Sequence, residues 1–292
     1  MSEPRGGAPR AVGLSVLLLL VTVVWGWTFP VVRDAVAAYG VVAFLATRFA
    51  MAAVVLAPIG LRRATRASWR AGAGIGLVLV AAYLLQTFGI RLTSATNSGL
   101  ITGLFVVFAP LWNRLLFGVR TDRIFAAAIA TSVVGLALLT GAGAGPPTLG
   151  DALTLGCAIL FGLHIALLGR YAREHDPWAL VLAQLAVAAV VLAVAWPLSE
   201  PFTAPSGAVW GALLLTGLAA TAGGFTIQTA AQRHLPAVRV AVILTMEPVF
   251  ATFFGRALAG DRLGLLQLAG GALMVAALLV ANIHGGKKGT PF

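Results

Sequence analysis

Residues 40–60 read GVVAFLATRFAMAAVVLAPIG, twenty-one residues with a single charge, Arg48. A helix needs about 20 mostly apolar residues to cross the hydrocarbon of a bilayer. Long apolar runs without period-2 alternation exclude a barrel strand. The stretch is typical of the chain, in which 60% of 292 residues are hydrophobic and 10% charged. Soluble proteins average roughly 45–50% apolar and 25% charged. Mean hydropathy is +0.96. So few charges cannot cover a soluble protein of this size, and disorder requires the opposite composition. Lipid must therefore be the solvent for most of the surface.

Cutting the chain at charges, Pro/Gly clusters and loop-like stretches gives ten spans, roughly 12–32, 40–60, 71–91, 95–118, 123–142, 149–169, 177–198, 207–232, 236–258 and 262–283. Arg5 and Arg10 precede the first span as in a secretory leader, but its apolar run exceeds the usual 7–15 residues of one, so it reads as retained. The net charge of +11 falls mostly in loops, where short-loop Lys and Arg mark the cytoplasmic side. One side holds Arg5, Arg10, Arg62, Arg63, Arg66, Arg70, Arg120, Arg123, Arg170, Arg173, Arg233, Arg239, Lys287 and Lys288; the other holds Arg33, Arg91, Arg256 and Arg262. This bias predicts a multi-pass protein of the cytoplasmic (inner) membrane with both termini cytoplasmic. The basic excess is a topology signal, so no nucleic-acid partner is expected. Cys157, the only cysteine, excludes an intrachain disulfide and a Cys-based metal site.

The two halves of the chain resemble each other. Trp25-Gly26 matches Phe161-Gly162 at an offset of 136, where Arg48 falls on Gln184 and Ala52-Ala53-Val54-Val55-Leu56 on Ala188-Ala189-Val190-Val191-Leu192. Gln86-Thr87, Arg91 and Ala95 match Gln228-Thr229, Arg233 and Ala237 at 142, and Pro110 matches Pro248 at 138. The drift from 142 to 138 implies about one extra helical turn in the fourth span relative to the ninth. Five spans per repeat is odd, so the second repeat enters the membrane from the opposite side. Inverted repeats of this kind serve alternating access, with the substrate site near the midplane between them. The expected fold is an all-α polytopic membrane protein, ten transmembrane helices in two inverted five-helix repeats over 12–142 and 149–283.

Trp25-Gly26-Trp27-Thr28-Phe29 resembles the first-helix signature of the drug/metabolite transporter superfamily, in its EamA-type exporters. Arg48 within Phe44-Leu45-Ala46-Thr47-Arg48 resembles that family's second-helix arginine. The run from Gln86 through Thr93-Ser94-Ala95-Thr96-Asn97 to Pro110-Leu111 resembles its third-and-fourth-helix block, and Leu244-Thr245-Met246-Glu247-Pro248-Val249-Phe250 its ninth-helix block. Gly260-Asp261-Arg262 departs from the family's Gly-Glu. The resemblance covers about residues 14–283 and rests on the ordered set of motifs. It implies two EamA repeats and export of small metabolites, as in exporters of aromatic amino acids, of threonine and homoserine, and of cysteine-related metabolites.

Polar groups within spans are costly and so become site candidates. Arg48 lies about eight residues into its span, roughly 12 Å deep at 1.5 Å per residue. There it could hold a substrate carboxylate bidentately; the competing reading is a structural arginine that caps carbonyls or snorkels. Glu247 could take a substrate amine or a proton, or be a neutral carboxyl satisfied by its neighbours. Pro248 beside it and Pro110 in the other repeat are kink candidates. Trp25/Thr28 and Phe161/His164 each share a helix face at i, i+3, and His164 could contact substrate or another helix. Tyr83 with Gln86, Thr221 with Gln228, and Asn97, Trp112 and Asn113 supply further polar and aromatic surface, with Gln184 the counterpart of Arg48. Trp25, Tyr83 and Trp112 lie deep enough to stack on an aromatic ring. Trp27, Trp69, Trp178, Trp196 and Trp210, near span ends, read as interfacial anchors.

Little here speaks for enzyme chemistry. Gly141-Ala142-Gly143-Ala144-Gly145-Pro146 fails the dinucleotide fingerprint at its last position, and Gly285-Gly286-Lys287-Lys288-Gly289-Thr290 lacks the Walker spacing. Four scattered histidines give no metal-ligand spacing. The expected function is secondary transport without cofactor or metal: export of small metabolites, most favourably aromatic amino acids. The expected partners are a small-molecule substrate and the lipid bilayer, in a protein that could act as a monomer. An exporter of another small polar metabolite or a drug-like cation is the alternative within transport. A membrane scaffold or lipid-facing enzyme is the alternative outside it.

Overall fold

The computed structural model describes residues 7–140, 148–259 and 264–287. Arg5, Lys288, the glycine-rich run from Gly141, Gly260-Asp261-Arg262, the end of the expected fifth span and the start of the tenth lie outside them. Among the described residues every regular element is a helix. In chain order these are α1 (Gly7–Tyr39), α2 (Val41–Arg63), α3 (Arg66–Leu92), α4 (Ala95–Thr102), α5 (Phe105–Phe117), α6 (Arg123–Thr140), α7 (Leu149–Tyr171), α8 (Pro177–Ser199), α9 (Gly207–Leu214), α10 (Gly224–Gln232), α11 (Ala237–Leu244), α12 (Met246–Ala259) and α13 (Leu265–Lys287). Among the described residues eight stretches are long and apolar enough to cross a membrane, with two shorter apolar ones, Arg123–Leu138 and Leu268–Val280, in the fifth and tenth places. The chain is a polytopic membrane protein.

Most helices start where local chemistry supplies partners for their first N–H groups. Thr65 with Ser68, and Thr148 with Asp151, close capping boxes ahead of α3 and α7. Asp176 caps α8, with Pro177 at the first helical position. The expected first span stopped at residue 32, before Arg33-Asp34. The helix runs on to Tyr39 because both side chains are exposed and nothing breaks the backbone until Gly40, at φ 97°.

The segment quoted first is explained by its two faces. Ala52 and Ala188 are fully buried, while Val54 and Val190 are 70% and 63% exposed, so each copy of the repeated pentapeptide turns a small residue inward and a valine out to lipid. α2 packs on α8 along this inward face. Its N-terminus, lacking a cap of its own, is closed from the other repeat: Glu200 accepts from the backbone N–H groups of Val41 at 2.8 Å, Val42 at 3.2 Å and Ala43 at 2.9 Å. At the opposite end Arg63 pairs with Asp176 at 3.3 Å.

The remaining pairing is crossed. α1 packs on α12, and α7 on α5. In each case a glycine lets two backbones touch. A Cβ on Gly26 would fall 2.6 Å from Phe250 Cβ, and one on Gly162 would fall 2.5 Å from Phe108 Cβ. Gly26 and Gly162 are 136 apart, Phe108 and Phe250 are 142 apart, so the same contact is made twice with the repeats exchanged.

The fourth and ninth spans are each interrupted. The breaks fall at Gly103-Leu104, between α4 and α5, and at Thr245, between α11 and α12; Gly103 and Thr245 are again 142 apart. Pro248 lies one turn after its break. Pro110, a kink candidate from sequence, lies six residues into α5 and does not mark the interruption. The offset stays at 142 through the break, from Gly103 and Thr245 to Phe108 and Phe250, so the extra turn expected of the fourth span is not found there, and the counterpart of Pro110 is Thr252 and not Pro248. The eighth span carries an irregularity with no sequence signal, a π-helical stretch from Leu215 to Gly223 that joins α9 to α10.

Candidate functional site

A cavity with an empty volume of about 670 Å³, its mouth included, lies between the two halves and is walled by α1, α2, α3, α4, α5, α7, α10, α11 and α12. Trp25, Thr28, Arg48, Tyr83, Gln86, His164, Gln228 and Glu247 all line it.

Arg48 is buried at 3% exposure and held by two neighbours. Its Nε donates to Thr221 Oγ1 at 2.6 Å and its Nη2 to Tyr83 OH at 3.2 Å. The guanidinium carbon also sits 4.8 Å from the Tyr83 ring centre, within cation–π range. Its Nη1 donates to nothing among the described residues. The π-helical stretch contributes to this anchorage twice: it carries Thr221, and its Ala220 carbonyl accepts from Trp25 Nε1 at 2.8 Å. Single π turns are frequent at functional sites, and here the widened helix sets both groups against the cavity wall.

Glu247 is 7% exposed and makes no hydrogen bond or ion pair among the described residues. It is the second residue of α12. Pro248 has no N–H, so the Leu244 carbonyl, four residues earlier and also in the cavity wall, lacks its usual helical donor. An unpaired carboxylate in such surroundings costs several kcal/mol unless a cation or proton neutralises it.

Rings fill the space between the ionic groups. Phe225 lies 5.5 Å from Trp25, 6.3 Å from Tyr83 and 5.6 Å from His164, and Tyr83 meets Phe161 edge-on at 5.3 Å. His164 Nε2 bonds Gln184 Oε1 at 2.8 Å, so Gln184 stands behind the wall, as Thr221 does behind Arg48. Gln86 Nε2 donates to Thr102 Oγ1 at 3.3 Å.

Besides Gln184 and Thr221, three further candidates are not brought into the wall. The Trp112 indole donates to the Ile159 carbonyl at 3.0 Å, tying α5 to α7. Asn113 Nδ2 donates to Ala109 O one turn back. Asn97 sits in the first turn of α4, its backbone N–H taken by Ser94. Asn97 thus stands at the start of its span, and Trp112 and Asn113 are bonded away from the cavity.

The repeat gives the cavity its plan. At the offsets 136 and 142, Trp25 pairs with Phe161, Thr28 with His164, Phe29 with Ile165, Tyr83 with Phe225, Gln86 with Gln228, Thr102 with Leu244 and Phe105 with Glu247, and all fourteen line it. Phe225, which meets three other rings and which a search for polar residues misses, was available as the counterpart of Tyr83. The pairs also show where the halves diverge. Glu247 faces a phenylalanine in its twin, and Arg48 has the displaced Gln184, so both ionic groups are singular features on a symmetric frame.

A helical membrane bundle of two matched halves around a shared cavity defines a class, that of membrane transporters built from inverted repeats. The model of the EamA-like transporter family matches residues 13–141 and 148–283, and the chain belongs to that family. A relative from Archaeoglobus fulgidus, named an uncharacterized transporter, is 30% identical over 269 residues, 91% of this chain and 85% of its own. One solved crystal structure superposes with a TM-score of 0.75 over 94% of this chain and 98% of the other at 18% identity, a likeness of fold.

Proposed function

We propose that this transporter exports amino acids, aromatic ones in preference, by alternating access around the cavity between its repeats. The observation that carries the reading is one buried cation and one unpartnered carboxylate, Arg48 and Glu247, in a single cavity among Trp25, Tyr83, Phe161 and Phe225. An amino acid brings a carboxylate for the first, an ammonium for the second and, if aromatic, a ring for the four. Because Arg48 already has Thr221 and Tyr83 as partners while Glu247 has none, an organic cation is the second reading.

Uptake into proteoliposomes of a radiolabelled amino-acid panel, with and without a pH gradient, tests the proposal. Each aromatic contact contributes roughly 0.5–1.5 kcal/mol beyond burial, a few-fold to about tenfold in affinity. Phe225→Ala is therefore expected to weaken phenylalanine and tryptophan transport several-fold more than alanine or threonine transport. Trp112→Ala, outside the cavity, lowers all four in parallel. If the unmutated protein moves threonine and not phenylalanine, the aromatic preference is wrong; if it moves an organic cation and no amino acid, the second reading replaces the first.

We also propose, from the bias of Lys and Arg between the spans, a cytoplasmic-membrane location with both termini inside. Ala67, exposed in the first turn of α3 next to the connection from α2, reports on this. Ala67→Cys in a Cys157→Ala background should resist a membrane-impermeant thiol reagent in intact cells and react after permeabilisation. Efficient labelling from outside overturns the orientation.

A further inference from the structure

Gln228 in α10 is 2% exposed and lines the cavity. Its Nε2 donates to Gln232 Oε1 at 3.1 Å, and Gln232 Nε2 donates to the Ile165 carbonyl at 2.7 Å. The far end of this chain decides its direction. A backbone carbonyl only accepts, so Gln232 must turn its amide nitrogen to Ile165 and its oxygen to Gln228. Gln228 must then turn its own nitrogen to Gln232. What remains is Gln228 Oε1, a buried acceptor that receives no hydrogen bond. Turning the Gln228 amide over would set two oxygens against each other and leave a donor orphaned instead.

Buried acceptors without donors are rare enough in native proteins to call for an explanation. Gln228 borders the cavity, so a ligand held there is one source of the donor this acceptor lacks. The same cavity is lined by Glu247, whose carboxylate is also without a hydrogen bond or ion pair among the described residues, and by Leu244, whose carbonyl Pro248 leaves without its helical donor. All three are acceptors, and a primary ammonium has three N–H groups and no acceptor.

We propose that Gln228, polarised by Gln232 and the Ile165 carbonyl, forms with Glu247 an ammonium subsite that takes a primary amine through its N–H groups and discriminates against a quaternary one. The proposal deepens the reading of this cavity as the substrate site and rests on it. Glu247 supplies charge, which attracts either kind of cation. Gln228 supplies the requirement for an N–H donor.

The test uses purified protein in detergent and two pairs of probes: phenethylamine with its N,N,N-trimethyl derivative, and phenylalanine with its N,N,N-trimethyl derivative. Binding is measured by calorimetry. A hydrogen bond to a charged group contributes about 1.5–3 kcal/mol, so the unmutated protein should prefer each primary ammonium by about tenfold or more. Gln228→Met should bring both ratios close to one while leaving the trimethyl compounds bound as before. Gln228→Glu, which keeps an acceptor, should keep the preference. Gln232→Met, which frees the Gln228 amide to turn over, should lower the ratio part of the way. A packing role alone would weaken all probes equally and leave the ratios unchanged, and that result overturns the proposal, as does a preference that survives Gln228→Met. Should Gln228→Met fail to fold, the Gln228→Glu and Gln232→Met ratios decide. If the unmutated protein discriminates between the amines but does not bind phenylalanine, the amino-acid reading fails and the ammonium subsite stands. If it binds neither amine nor amino acid, both fail.

Discussion

Glu247→Gln should weaken binding of a cationic or zwitterionic substrate by about tenfold to a hundredfold and remove the pH dependence of transport. The first figure is the loss of a charge-assisted hydrogen bond, about 1.5–3 kcal/mol. The second follows from competition. A buried carboxylate with no partner among the described residues has to be neutralised, and in this cavity either a proton or a substrate ammonium can do it, but not both together. Protonation therefore lowers substrate affinity. In the unmutated protein, apparent affinity should fall as the pH on the binding side falls, and an opposing proton gradient should drive substrate across. Glutamine is neutral at every pH, so the variant should give a flat profile and no gradient-driven accumulation, while retaining whatever downhill exchange its weaker binding allows. Glu247→Asp keeps the charge one methylene further back and should keep the pH dependence at reduced affinity. Gradient-driven transport that persists unchanged in Glu247→Gln would assign Glu247 a structural role.

How far a sequence of this kind can be read depends on which residues announce themselves. Arg48, Glu247, His164, Gln86 and Gln228 stand out because polar groups are costly in hydrocarbon, and all five line one cavity. Trp112 and Asn113 stand out for the same reason and are placed elsewhere, because depth along a span can be counted in the sequence whereas the face a residue presents depends on packing. Phe225, Phe105 and Ile90 carry no such mark among so many apolar residues. Only the repeat points to Phe225, through Tyr83. The capping of α2 by Glu200 joins residues about 160 positions apart and has no local signature, and the π-helical stretch at Leu215–Gly223 reads as ordinary helix. Pro248 marks its break and Pro110 does not, since a proline near the first turn of a helix segment, as at Pro248, gives up fewer intrahelical bonds than one further inside it, as at Pro110. The two do not share a place in the repeat: at the offset of 142 kept through Phe108 and Phe250, Pro110 falls on Thr252 and Pro248 on Val106.

The crossed contacts of Gly26 and Gly162 should be sensitive packing positions. A methyl at residue 26 would lie 2.6 Å from Phe250 Cβ and 2.7 Å from Ala251 N; at residue 162 it would lie 2.5 Å from Phe108 Cβ and 2.9 Å from Ala109 N. The obstructing atoms are backbone or sit directly on it, so no side-chain rotation relieves them, and whole helices must separate. Overpacking of this kind costs about 1–3 kcal/mol, against which alanine recovers at most about 1 kcal/mol of helix propensity. Gly74, on α3, supplies the control, since a Cβ there meets nothing within 4 Å. Gly26→Ala and Gly162→Ala should each lower the thermal midpoint in detergent and depress transport of every substrate in parallel, while Gly74→Ala leaves both unchanged or slightly raised. Because the two contacts share no residue, the double variant should show close to the sum of the single effects. The comparison also bears on mechanism. Each glycine ties the first helix of one repeat to the fourth span of the other, so if alternating access keeps α1 with α12 and α7 with α5 as rigid pairs, the motion must pass through other joints, with the π-helical stretch beside Arg48 and Trp25 the foremost candidate. Should Gly26→Ala and Gly162→Ala both prove as stable and active as the parent, the contacts are ones the working protein opens, and the moving units are the repeats themselves.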